Sequence, residues 1–503
     1  VLAIERFLGA TSMMVCEGRR SGENESCGEE GGCVASDDHD CVLVTAPKPC
    51  KPQCGMEGLD LPPSVPMTRT RLTGVVLWSA CALCGVAEEE ALESGELLRF
   101  EAAAPEAEWN EAAFYLQFFA PELSETLRER MPAQATWGSD GRLYGIAVDS
   151  TSDHGEARVV RMDPWRDEAL QIEVIGRGLR SPRGLVFDDL GNLFVLDQGL
   201  SERAETQGAR LYEVLPGGDA GWRALASGAA EPQDYFAWRD ENLWKPSFFG
   251  QTAVITPCFA AWESGRRFDL WRNPGSGLSR DLEEAYFVHW VESAGRIHGF
   301  RLAVSGEGAH FVRQGERSLW QESAGDRFSG SWGVTQDGAL QGAEEWFLDV
   351  EGSVRHPLRE ETSRWLKEEW RRVPEGRLLS LLGYPDRRVR LAAQFEIARR
   401  GDFTILRQTA IADSRWMARL HGIWGCAQIV RRRPGESLQG LASLASHRDA
   451  DIRGQMIRML GETQSRFAHE KVKDGLFDSR SRVRLVAAMA MREMAGPQAV
   501  SYT

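Results

Sequence analysis

From about residue 96 to 358, apolar and polar positions alternate over short runs bounded by Gly and Asp, which predicts β-strands exposed on one face. One corner recurs: SDGRLYGIAVD from Ser139, DDLGNLFVLDQ from Asp188 and TQDGALQGAEEW from Thr335. In each, an acidic turn reaches a glycine and then a strand. Gly141, Gly191 and Gly338 stand where a tight hairpin calls for positive φ, and Leu143, Leu193 and Leu340, two residues on, are expected in the core between sheets. Further strand candidates are 157–163, 209–215, 252–259, 283–291 and 296–303. Gly141 to Gly191 is about 50 residues and Gly191 to Gly338 about 147, read as one step and three, each near the length of a four-stranded blade. The spacing predicts an all-β propeller of five or six blades over 96–358.

Beyond Arg359 the period changes to that of helices. A helical linker over 359–375 leads into paired apolar helices over 376–496, among them LLSLLGYPDRRVRLAAQFEIARRG and KDGLFDSRSRVRLVAAMAMREMAG. A V-R or I-R step falls at Val389-Arg390, Ile452-Arg453 and Val483-Arg484, giving a unit near 31 residues with a degenerate copy around Arg419. This is the pattern of a HEAT-like α-helical solenoid. Asp386, Asp449 and Asp478 precede the second helices and are placed to cap them. Such a stack leaves a concave face for partners, which points to scaffolding. His421 and Cys426 lie in the apolar array and read as core residues.

Length adds that 503 residues exceed one ordinary core, so a multidomain chain is expected. The net charge of -15 is uneven: 359–496 carries about 27 Lys and Arg against about 17 Asp and Glu. Arginine-rich codon usage and solvated helix faces account for this, and no nucleic-acid partner is inferred.

Met67 opens MTRTRLTGVVLWSACALCGVAEEE, with Arg69 and Arg71 before an apolar run from Leu72 to Val86 and a small-residue Gly85-Val86-Ala87 site. These are the three parts of a signal peptide over 67–87, which predicts a periplasmic or secreted protein. The run is shorter than the roughly 20 residues needed to span a bilayer, so no integral membrane protein is expected. Residues 1–66 read as a non-native or disordered leader. They hold six of the ten cysteines without paired C-x2-C spacing, a disulfide or metal module being the alternative. Cys81 and Cys84 are followed by Gly85 rather than the His of a haem attachment site, and Cys258 and Cys426 alone remain in the body.

The phrases YPDRRVRLAAQFEIARRG, RLHGIWGCAQ and RVRLVAAMAMREM, after a propeller-like segment, resemble the PVC-type haem-binding CxxCH proteins, also described as putative membrane-bound dehydrogenase-domain proteins. The resemblance covers about 135–496. It implies a propeller similar to glucose and sorbosone dehydrogenases, then HEAT-like repeats, then a cytochrome c domain. The sequence ends at GPQAVSYT with no C-x-x-C-H, so no covalent haem is expected in this chain.

In the soluble quinoproteins that the propeller also resembles, an arginine meets the quinone and a glycine-rich corner binds calcium. The match falls on GLRSPRGL, LDQGL and PGGDAGW. It implies that Arg180 and Ser181 face PQQ, that Gly199 and the Leu200 carbonyl bind calcium, and that Asp197 orients substrate or joins the metal. Ser181 stands where that family has Asn, and Leu200 where it has Pro. The early blade that should supply the base is not recognisable in 96–135, leaving His289 and His298 as candidates for the catalytic base.

Two functions follow. One is a propeller-HEAT binding or scaffold module that recognises protein or carbohydrate through tryptophans such as those of FAWRDENLW at 236–244. The alternative is a quinoprotein-like oxidoreductase that oxidises a sugar or alcohol with PQQ and calcium and passes electrons to a cytochrome c partner.

Overall fold

The computed structural model describes residues 98–101, 110–148, 157–165, 172–198, 208–220, 254–255, 258–262, 266–291, 295–306, 308–321, 333–341, 346–350, 355–433, 435–463 and 466–495. All of these belong to one compact unit. The expected leader, signal peptide and FAWRDENLW tryptophans lie outside the described residues.

The strands in chain order are β1 (Leu98–Glu101), β2 (Ala133–Trp137), β3 (Leu143–Val148), β4 (Ala157–Met162), β5 (Ile172–Leu179), β6 (Pro182–Phe187), β7 (Leu193–Gln198), β8 (Ala209–Glu213) and β9 (Gly218–Asp219). They continue with β10 (Val254–Ile255), β11 (Cys258–Trp262), β12 (Arg266–Arg272), β13 (Tyr286–Val291), β14 (Gly295–Val304), β15 (Phe311–Gln321), β16 (Gly333–Val334), β17 (Leu340–Gln341) and β18 (Trp346–Asp349). They form four separate sheets, ordered β1-β18-β17-β16, β10-β9-β5-β4-β3-β2, β11-β8-β7-β6 and β12-β13-β14-β15.

This overturns the expected propeller. The described strands make four open sheets of unequal size, none closed or built as a ring of equal blades. The largest is mixed, because β9 and β10 join β5 in parallel. The local turn chemistry was real. Gly141, Gly191 and Gly338 have φ of 78°, 72° and 90°, and Leu143, Leu193 and Leu340 are buried in three different clusters. The repeat count was the error. The three glycine turns join β2 to β3, β6 to β7 and β16 to β17, so the long interval holds only one whole sheet, β12 to β15, rather than three equal steps. In the sheet of β12 to β15 the first connection passes through a 3-10 turn at Arg280–Leu282.

The helices are α1 (Glu111–Phe114), α2 (Pro121–Glu129), α3 (Arg359–Leu366), α4 (Glu375–Leu381), α5 (Arg387–Arg400), α6 (Phe403–Ala412), α7 (Trp416–Arg432), α8 (Ala450–Gly461), α9 (Arg466–Gly475) and α10 (Ser481–Ala495). Asp386 caps α5 through Arg388 N at 2.9 Å, and Asp449 caps α8 through Asp451 N and Ile452 N. Asp478 lies earlier in its loop, accepting from Arg480 N at 2.9 Å and pairing with Arg453 at 2.7 Å.

The recurring arginine has a structural use. Arg390, Arg453 and Arg484 each aim Nη1 back at the two carbonyls five and six residues earlier, Pro385 and Tyr384, Arg448 and His447, Ser479 and Asp478. One guanidinium thus holds the loop that enters each helix. The degenerate copy departs from this, since Arg419 bonds Ala410 O and His447 instead.

The separate helical solenoid is also corrected. α5 is buried almost all round, which is why it lacks a polar face. Phe395 at its centre packs against Tyr115, Phe118 and Trp137, with ring centroids 5.3, 6.1 and 5.7 Å apart. Tyr115 Oη donates to Arg388 O, and Trp137 Nε1 donates to Ala112 O. Residues 110–129, expected within the sheet region, are therefore helical and share a core with α5 and β2. Among the described residues no helix is long and apolar enough to cross a membrane.

Candidate functional site

The three acidic turns are built alike. The first residue donates its N–H to the carbonyl of the fifth, and the glycine at the fourth donates back to the first: Gly138 with Arg142 and Gly141, Asp188 with Asn192 and Gly191, Thr335 with Ala339 and Gly338. This leaves the middle carbonyls pointing outward, and helical side chains take them. Gln394 donates to Ser139 O at 2.8 Å, Gln455 to Leu190 O at 2.7 Å, Arg458 to Gly191 O at 2.7 Å and Arg388 to Gln336 O at 3.4 Å. Arg431 reaches Asp140 O and Arg359 reaches Asp337 O. A buried carbonyl left without a donor costs about 1–3 kcal/mol, so these side chains decide where the turns sit.

Ion pairs reinforce the junction. Asp189 meets Arg272 at 2.7 Å and also Arg390. Burial pushes its carboxyl up, but these two guanidinium groups hold it well below the usual carboxylate range. Glu462, at the end of α8, accepts from Arg142 at 2.8 Å and from Arg431 at 2.9 Å. Against the same burial penalty, Arg142 and Arg431 bring it down to about 2. Arg482 of α10 clasps both oxygens of Glu213. Arginines read as solvated are thus buried against the chain's own sheet turns: Arg388 is 1% and Arg390 3% exposed.

Packing at this junction is incomplete. Between the ends of the sheets and helices α7, α8 and α10 lies an open cleft whose empty space, mouth included, is about 880 Å³. The part of it that a water molecule could occupy is about 100 Å³, room for a small single-ring molecule. Its apolar walls include Phe187 and Leu215 from the sheet side, Trp424 from α7, Met459 from α8, and Leu485 and Met489 from α10. Its charged groups are Arg161, Arg458 and Arg482 with Asp140, Glu213, Glu462 and Glu493. Sequence reading missed this cleft, because its walls come from segments hundreds of residues apart and each helix alone shows ordinary amphipathic spacing. The one available signal was the acidic turns themselves, two of which contribute Asp140 and Asn192.

The sequence-derived site residues lie elsewhere. Arg180 and Ser181 form the turn between β5 and β6, and their backbone N–H groups donate to Asp197 at 3.1 and 2.8 Å. These three are brought together, with the Asp197 carboxylate turned onto backbone. Gly199 and Leu200 lie outside the described residues. His289, in β13, is buried, and burial lowers its imidazole to about 4. His298, in β14, meets Glu316 at 3.1 Å. Their register pairs His289 with Ile297 and Val288 with His298, so the two histidines point to opposite faces of one sheet and cannot both meet one cofactor. Among the described residues no group of three or more His, Cys, Asp or Glu is arranged to hold a metal ion. Arg180, Ser181 and Asp197 thus sit together at the ends of β5, β6 and β7, while His289 and His298 belong to another sheet.

His421 and Cys426 are core residues. His421 accepts from Arg390 Nε at 3.2 Å and faces Gln394 Oε1 at 2.7 Å, and burial together with Arg390 holds it neutral. Cys426 is a free, fully buried thiol.

No family model matches the chain, and no curated protein or solved structure is similar to it. Fold and site alone define its class: a mixed β and α protein in which glycine turns from three of its four described sheets seat on a helical array beside a cleft.

Proposed function

We propose that the chain is a binding module that takes a small ligand in the cleft between the sheet turns and helices α7, α8 and α10. The observation that carries this reading is the cleft itself, left open in a junction where the surrounding turn carbonyls and carboxylates are otherwise met by arginine or glutamine. Apolar walls with a few fixed polar groups suit an amphipathic molecule, held by area and oriented by hydrogen bonds.

The test is to fill the cleft. Met489 is partly buried on its wall, and a Met489→Trp side chain adds volume where the ligand would lie. Ligands found by thermal-shift screening of the full chain should lose about tenfold or more in affinity by calorimetry in this variant, with the circular dichroism spectrum unchanged. Undiminished binding by the folded variant would move the ligand to another place.

A further inference from the structure

The polar groups of the cleft are not equally satisfied. Glu213 has both oxygens on Arg482, and Glu462 has both on Arg142 and Arg431. Asp140 accepts from Tyr144 Oη at 2.7 Å and from Arg142 N at 3.1 Å. Glu493, near the end of α10, differs. Its Oε1 receives Arg161 Nη2 at 3.3 Å, and that guanidinium is already engaged by Glu173 at 2.7 and 3.1 Å. Its side chain keeps 24% of its surface exposed, against 11% for Glu462 and 3% for Glu213.

The guanidinium groups on the same walls are committed to the protein. Arg458 donates to Leu190 O, Gly191 O and Asn192 Oδ1, and Arg482 to Glu213, Asn192 and Ala309 O. Asp140, Glu213 and Glu462 are likewise already met by the protein's own donors. The unspent hydrogen-bonding capacity is thus an acceptor on a carboxylate, which calls for a charged donor. Leu485, Met489 and Glu493 follow one another at intervals of four along α10 and so share a helix face, placing an apolar strip beside that carboxylate.

We propose that the cleft takes an organic amine, whose protonated nitrogen donates to Glu493 while its apolar body lies along Met489 and Leu485. The proposal rests on the cleft-binding reading and deepens it. Burial raises the Glu493 carboxyl above its ordinary range, Arg161 offsets part of this, and Glu462 adds to it, so the group gains from a cation brought beside it. The amine supplies the counter-charge that Arg161, shared with Glu173, gives only in part.

The experiment is calorimetry on the full chain at neutral pH with three probes of one shape: benzylamine, benzyl alcohol and benzoate. Benzylamine should bind roughly tenfold or more tightly than benzyl alcohol, the worth of one charge-assisted hydrogen bond, with benzoate weakest. Glu493→Gln should reduce benzylamine to the affinity of the alcohol while leaving the alcohol unchanged. Glu493→Asp, which keeps the charge, should restore part of the preference. Equal or tighter binding of the alcohol or benzoate, or an amine preference that survives Glu493→Gln, would overturn the amine and leave the cleft as a binding site. Absence of binding by all three would overturn both.

Discussion

At Asp197 two physical effects oppose each other. Burial favours the neutral acid, while the N–H groups of Arg180 and Ser181 favour the carboxylate; burial prevails, and the group is pushed up to about 7. Asp269 is raised to about 7 by the same desolvation, with Arg183 opposing it. The consequence for stability has a definite sign. Below about pH 4 both folded and unfolded chains hold these protons. Between about pH 4 and 7 the unfolded carboxyls ionise while the folded ones do not, so stability falls as pH rises through that window. Glu462, held at about 2, acts oppositely but only at lower pH. Asp197→Asn keeps an oxygen for the two backbone donors and removes the titration. Its urea midpoint should change less between pH 4.5 and 7.5 than that of the unaltered chain, and an unchanged dependence would show that Asp197 does not titrate there. The GLRS and LDQG phrases were read as a cofactor corner, but their spacing equally serves two strand ends tied by one side chain. Sequence cannot separate these readings, because backbone hydrogen bonds to Asp197 leave no mark on residue type.

Among elements, the helix-entry clamp shows why arginine recurs at a fixed position. Lysine offers a point charge rather than a planar fork, and cannot hold two carbonyls and a carboxylate at once. Arg390 holds Tyr384 O and Pro385 O and also meets Asp189 across the junction, at 3% exposure. Arg484 holds the equivalent pair of carbonyls three repeats later, on a partly exposed side chain. Arg390→Lys should therefore cost about 2–4 kcal/mol in denaturant unfolding and Arg484→Lys about 1 kcal/mol. Similar losses at both would mean that the junction with Asp189 adds nothing. Strand positions, glycine turns and the helical period were legible, because each depends on residues within a few positions. The docking of turns on helices was not, since Arg390 to Asp189 spans 201 residues and Arg142 to Glu462 spans 320.

For the molecule as a whole, the uneven charge of the sequence acquires a meaning that composition alone did not supply. The arginine excess of 359–496 and acidic residues of the sheet region meet in one interface, through Arg390 with Asp189, Arg431 with Asp163 at 2.9 Å, and Arg482 with Glu213. Sheets and helices then form one body, and the cleft exists only because both halves wall it. Occupation of that cleft by a small molecule is the central claim, and the methionines report on it directly. Of 12 methionines in the sequence, Met459 and Met489 line the cleft. In a methyl-labelled NMR titration of the full chain with benzylamine, the Met459 and Met489 signals should shift together and saturably while the other methionines stay in place. Shifts confined to other methionines, or none at saturating amine, would contradict it.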